Sequence, residues 1–198
     1  MNSPESLPVI VETAGGKLEG TQRGPVCAFK GIPYATAKRW HAPERAASWT
    51  GVRSARHSGA IAPQNPTALQ GLMGTSGGVQ SEDCLSLNIW TPACDGAKRP
   101  VMVWIHGGAF ATGAGSLGLY SGKHLAESGH VVIVTINYRL GSLGFLRLAD
   151  ITHGNVPASG SEGLADQVVA LEWVRDNVAA FGGDPSNVTI FGESAGAM

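Results

Sequence analysis

The residues with the clearest chemical potential stand at positions 192–196, Gly192-Glu193-Ser194-Ala195-Gly196. A serine between glycines at this spacing fits a nucleophile elbow, where a strand turns sharply into a helix and lifts the hydroxyl above a sheet. Serine is a weak nucleophile until a base takes its proton, so the chemistry also needs a histidine and an orienting acid. The pattern alone does not decide. With 28 Gly and 16 Ser in 198 residues, about 0.3 such matches arise by chance, the false-positive risk of any short motif. Gly74-Thr75-Ser76-Gly77-Gly78 is a second match. Context separates them: Ser194 follows the apolar run Val188 to Phe191 directly, whereas Ser76 sits in polar loop sequence with no strand before it. Ser194 is the candidate nucleophile.

His106-Gly107-Gly108-Ala109-Phe110 follows another apolar run, Val101 to Ile105. Small residues there let the backbone approach a ligand and aim N–H groups at it. Acyl transfer develops negative charge on the attacked carbonyl oxygen, which preorganised backbone donors stabilise, each worth about 10² to 10³ in rate. Ala195, directly after the serine, would add a further N–H. Gly107, Phe110 and Glu193 are candidate lining residues, although a tight strand-to-loop turn accounts for the same glycines. Phe110 could equally pack in the core. His106, at a strand end with no acid partner, reads as a packing or hydrogen-bonding residue rather than a proton shuttle. Gly113-x-Gly115-x-x-Gly118 matches a dinucleotide fingerprint, but seven residues separate it from Ile105 and the next strand ends in Asn137-Tyr138 rather than an acidic residue. It reads as a flexible loop.

The elements that must position these groups alternate. Pro8 to Thr13 and Val26 to Tyr34 are extended, with Gly15-Gly16 as a hairpin turn between. Residues 36–80 are irregular. Cys84 to Trp90 alternates apolar and polar residues as a half-buried strand does, whereas Val101 to Ile105, Val131 to Ile136 and Val188 to Phe191 read as strands covered on both faces. Ser121 to Ser128 suits a short helix. Leu164, Val168, Leu171, Val174, Val178 and Phe181 recur at helical spacing and predict one apolar face. Strand–helix alternation of this kind implies an α/β fold with a parallel sheet and right-handed crossovers.

Composition narrows the function classes. A formal net charge of −1 lacks the basic footprint that nucleic acid requires. No apolar stretch reaches 18 residues, so no membrane span is expected. The first residues, Met1-Asn2-Ser3-Pro4-Glu5-Ser6, lack the basic start and apolar run of a signal peptide. Three cysteines, Cys27, Cys84 and Cys94, are an odd number at no metal-ligand spacing. Reduced thiols and a cytoplasmic location are expected.

The chain resembles the type-B carboxylesterase family, with its para-nitrobenzyl esterase-like and cholinesterase-related members. The resemblance is carried by Phe29-Lys30-Gly31-Ile32-Pro33-Tyr34, Ser81 through Pro92, His106 through Phe110, Asn137-Tyr138-Arg139-Leu140-Gly141, Phe181-Gly182-Gly183-Asp184-Pro185 and Gly192 through Ala197. It implies an α/β-hydrolase fold, mostly parallel, with a small N-terminal antiparallel sheet, residues 1–198 forming the N-terminal part of one such domain. It also implies oxyanion donors at the N–H groups of Gly108, Ala109 and Ala195, a structural ion pair between Arg39 and Glu82, and a Glu193 that either tunes the charge near the serine or is a solvated elbow residue. The bridge that members from oxidising compartments make with the cysteine matching Cys84 is not expected, because Ala62 stands where its partner would be.

The resemblance implies carboxylic ester hydrolysis through an acyl-enzyme on a small-molecule ester, with no cofactor, no metal, no nucleic acid and no membrane. All six histidines (His41, His57, His106, His124, His130, His153) precede Ser194, whereas these hydrolases run serine, acid, histidine. The acid and base are therefore expected beyond Met198, on a missing C-terminal half or a second chain, and the 198 residues alone are expected to be nearly inactive. A non-catalytic adhesion module, and an amidase or lipase on the same fold, are the alternatives.

Overall fold

The computed structural model describes residues 6–65 and 78–198. The Ser76 match lies outside the described residues.

Ten strands are seen among them. β1 (Leu7–Thr13), β2 (Gly16–Arg23) and β3 (Val26–Pro33) form an antiparallel meander. Thr13 faces Gly16 across the first hairpin, so its two-residue turn is Ala14-Gly15, one residue earlier than the expected Gly15-Gly16. β4 (Ala35–Thr36) and β5 (Glu44–Arg45) make a small separate antiparallel sheet, and β6 (Val52–Ser54) lies parallel to β2. β7 (Ser86–Thr91), β8 (Arg99–Ile105), β9 (Val132–Ile136) and β10 (Gly183–Gly192) complete the main sheet. Its order is β1-β2-β3-β7-β9-β8-β10, with β6 beside β2.

β9, β8 and β10 are mutually parallel, and these β-branched strands carry the site. Their crossovers contain α1 (Lys123–Gly129), α2 (Gly141–Phe145) and α3 (Glu162–Asn177). Parallel neighbours require such long connections, which lay helices on the faces of the sheet. No helix among the described residues is long and apolar enough to cross a membrane.

Three expectations change on contact with the structure. β7 is not half-solvated: Leu87 through Thr91 are all buried. Its polar Asn88 stays inside because its amide donates to the Thr135 hydroxyl at 3.1 Å and its oxygen accepts from Gly31 N at 3.0 Å. A buried polar group is tolerated when it is paired.

The face of α3 is also turned. Leu164 and Val168 are 47% and 56% exposed, and the buried positions are Glu162, Gly163, Asp166, Ala170, Val174 and Asn177. Asp166 turns them. Its carboxylate takes Arg139 Nε at 2.8 Å, Nη2 at 2.7 Å and the Arg139 backbone N–H at 3.0 Å. A buried charge needs its partner far more than two leucine-sized groups need cover, so Asp166 faces inward. Gly163 permits the approach, since a Cβ there would lie 2.7 Å from the Arg139 carbonyl oxygen.

β10, finally, is the edge strand of the described sheet. It pairs only with β8 among the described residues, leaving Ile190 52% exposed.

Candidate active site

The elbow begins where β10 ends. Glu193 is extended (φ −124°, ψ 138°), and Ser194 then enters the left-handed region at φ +51° before a 3₁₀ turn over Ser194–Ala197. A non-glycine residue there costs about 1–2 kcal/mol, and such strain collects at functional positions. The two flanking glycines are sterically obligatory. A Cβ on Gly192 would overlap the Gly196 carbonyl, and one on Gly196 would overlap the Ile105 carbonyl and lie 2.7 Å from that of His106. The turn thus rests on the end of β8, where Gly192 and Ile105 are in register. Ser194 is exposed, and among the described residues its hydroxyl has no hydrogen-bond partner.

The loop leaving β8 meets the elbow at Gly107. A Cβ on Gly107 would stand 2.7 Å from the Glu193 carbonyl oxygen and 3.2 Å from Ser194 Cβ. Gly108, Ala109 and Phe110 then take successive positive φ values of +110°, +54° and +58°. The N–H groups of Ala111 and Thr112 close back on the Gly108 carbonyl, both at 3.0 Å. Those of Gly108 and Ala109 have no acceptor among the described residues.

His106 anchors this loop. Its ring is 1% exposed and stacks on Tyr138 at 4.5 Å. Burial lowers its pKa to about 4, so the ring is neutral at pH 7, and Nδ1–H donates to the Gly107 carbonyl at 2.8 Å. The Tyr138 hydroxyl donates to the His106 carbonyl at 2.8 Å. None of the six histidines is hydrogen-bonded to Ser194 among the described residues.

The glycine triplet at 113, 115 and 118 is fastened rather than flexible. The Gln64 amide donates to the Gly113 carbonyl and accepts from its N–H, each at 2.9 Å. Gly115 N donates to Asn137 Oδ1 at 2.8 Å, and its carbonyl accepts from the Thr135 hydroxyl at 2.7 Å. With those two glycines occupied, their amides cannot cradle a pyrophosphate. Gln64, Asn137, Thr135 and the Arg139–Asp166 pair were not singled out for roles in the sequence. Only Thr135, a polar residue inside the otherwise apolar β9, carried a local signal.

Around the elbow, the Tyr120 hydroxyl donates to Glu193 Oε2 at 3.4 Å. The Trp104 ring lies 5.0 Å from both Tyr120 and Phe191, bordering a hollow of about 190 Å³ with Leu119 and Leu125. Trp104 Nε1 is buried with no partner among the described residues. Phe110 packs on Phe145 at 4.9 Å. Arg39 and Glu82 pair on the surface, Nε to Oε1 at 3.0 Å. No group of His, Cys, Asp or Glu side chains among the described residues could hold a metal ion.

The profile of the Carboxylesterase family matches residues 8–198. Para-nitrobenzyl esterase of Bacillus subtilis (strain 168) is 51% identical over 193 residues, covering 96% of this chain and 39% of that protein. Phenmedipham hydrolase of Pseudarthrobacter oxydans is 47% identical over 195 residues, 95% of this chain and 38% of that one. Among solved structures, carboxylesterase EST55 of Geobacillus stearothermophilus superposes with a TM-score of 0.85 at 49% identity, covering 94% of this chain and 38% of its own. The chain thus spans about two fifths of the length of these relatives. Its fold is that of the α/β-hydrolases. A match of this extent, on a serine elbow held against a glycine loop, shows that the chain belongs to the carboxylesterase family.

Proposed function

We propose that this chain carries the nucleophile and oxyanion hole of a carboxylic ester hydrolase. Ser194 Oγ attacks the ester carbonyl; the N–H groups of Gly108, Ala109 and Ala195 receive the oxyanion; the alcohol leaves with a proton, and water then cleaves the acyl-enzyme. The observation that carries this reading is the contact of Gly107 with Glu193 and Ser194, at the start of a loop whose next two N–H groups have no acceptor among the described residues. The base lies outside these 198 residues. His106 is enclosed and neutral with its ring committed to Gly107 and Tyr138, and the other histidines make no bond to Ser194.

Labelling by a fluorophosphonate probe tests the reading on the intact protein. Expected is a single adduct on Ser194, lost in Ser194→Ala and slowed about 10² to 10³-fold in Gly107→Ala, the scale of a lost oxyanion donor. No adduct, or one elsewhere, removes the hydrolase reading and favours a binding role. The 198 residues alone should show almost no turnover of para-nitrophenyl acetate; ordinary enzyme rates would place the base inside this chain.

A further inference from the structure

Cys27 and Cys94 are distant in sequence and close in space. Cys27 faces Thr91, the last residue of β7, across the β3–β7 ladder. Beyond Thr91 the chain folds back: the Thr91 hydroxyl donates to the Ala93 carbonyl at 3.0 Å, and Arg99 Nη1 reaches the same oxygen at 3.2 Å. Cys27 shares its strand face with Phe29, whose ring meets Phe181 edge-on at 5.0 Å. Gly182, next to Phe181, has its Cβ position 2.6 Å from the Ala93 carbonyl and 3.0 Å from Asp95 Oδ1. Residues 93–95 therefore lie beside the spot that Cys27 faces, and Cys94 packs against the core cluster that contains Cys27, which puts the two thiols close enough to interact.

We propose that Cys27 and Cys94 are a modification site, forming a reversible intramolecular disulfide when a small-molecule disulfide such as oxidised glutathione is the oxidant. The hydrogen bond from Cys94 holds the Cys27 thiol down at about 7, while the same bond pushes Cys94 up. Thiolate is thus available near neutral pH, which thiol–disulfide exchange requires. Cys94 is the more exposed of the two, so it meets the small disulfide, and the Cys27 thiolate accepts its proton as it attacks. Cys94 attacks glutathione disulfide, breaking its S–S bond and releasing one glutathione thiolate. Cys27 then attacks the mixed disulfide at the Cys94 sulfur and releases the second. Two protein thiols lose two electrons and two protons, and one small disulfide becomes two thiols. Cys84 takes no part: it is 0% exposed and burial pushes its pKa up to about 12.

The bond would tie the start of β3 to the β7–β8 turn across a long loop, and long loops yield the largest disulfide stabilisation, so oxidation should raise Tm by about 5–10 °C.

The test equilibrates the full chain in glutathione buffers from fully reduced to fully oxidised, quenches with acid, alkylates in denaturant, and digests with trypsin and chymotrypsin. Expected is a linked pair of peptides containing Cys27 and Cys94, with Cys84 alkylated throughout. Melting curves should show the rise in the oxidised protein and none in Cys94→Ser, whose Tm should match that of the reduced protein. Three alkylated cysteines in fully oxidised buffer, a lasting glutathione adduct on Cys94, a link through Cys84 or a disulfide-bonded dimer would each overturn the proposal.

Discussion

Ser194 holds its backbone at φ +51°, a conformation glycine adopts at no steric cost. Ser194→Ala keeps the strain and should leave stability near the wild type. Ser194→Gly relieves it, partly offset by the greater entropy of unfolded glycine, and should gain about 0.5–1 kcal/mol in urea denaturation. Equal stability for the two variants would mean that the elbow is relaxed. His106 makes a second prediction. Its folded pKa of about 4 lies below the ordinary 6.5, so the unfolded chain binds the extra proton. Stability from this group is complete above pH 6.5 and is lost as pH falls from there towards 4, at up to about 1.4 kcal/mol per unit. Between pH 7 and pH 5 the wild type should lose about 2 kcal/mol more than His106→Asn, measured from urea midpoints. An identical pH slope in the two proteins would count against a buried neutral ring.

At the level of elements, the Arg139–Asp166 pair ties the end of β9 to α3. Arg139 Nη1 also donates to the His41 carbonyl at 2.8 Å, which extends the tie to the segment before β5. Asp166→Ala leaves a guanidinium buried without its partner and should cost about 3–5 kcal/mol, while replacing both residues by apolar side chains should cost less. Chemical denaturation of the single and double variants separates the two. The same pair shows where sequence reading stops. Apolar runs announced β9, buried on both faces, and β8, whose Met102 and Trp104 face is only half-buried, and the serine was found because strand context preceded it. Leu164 and Val168 looked like core because spacing cannot show that Asp166, two residues from each, has a cationic partner in the segment after β9. Asn88 likewise looked solvent-facing, since its partners Gly31 and Thr135 are remote in sequence. The glycine loop at 107–110 was legible as a loop, but its contact with Ser194 depends on the β8–β10 register, which no local pattern records.

Among the described residues, the sheet is unevenly protected. β9 is buried at every position and flanked by β7 and β8, while β10 has one neighbour and exposed Thr189 and Ile190. Local opening is easiest where few contacts close it. In the 198-residue chain, amides of β10 should therefore exchange with deuterium well before those of β9, and equal protection of the two strands would contradict an open edge there. The two halves of the candidate site stand on opposite sides of that one ladder, the glycine loop on β8 and the serine on β10. Neither stretch of chain holds the chemistry alone. A polypeptide emerging from the ribosome, or one caught part-way through melting, would carry an inert alcohol. Reactivity would wait until the serine's strand snaps into register on its neighbour and the base joins it, so the serine would act as a built-in tally of correctly assembled molecules.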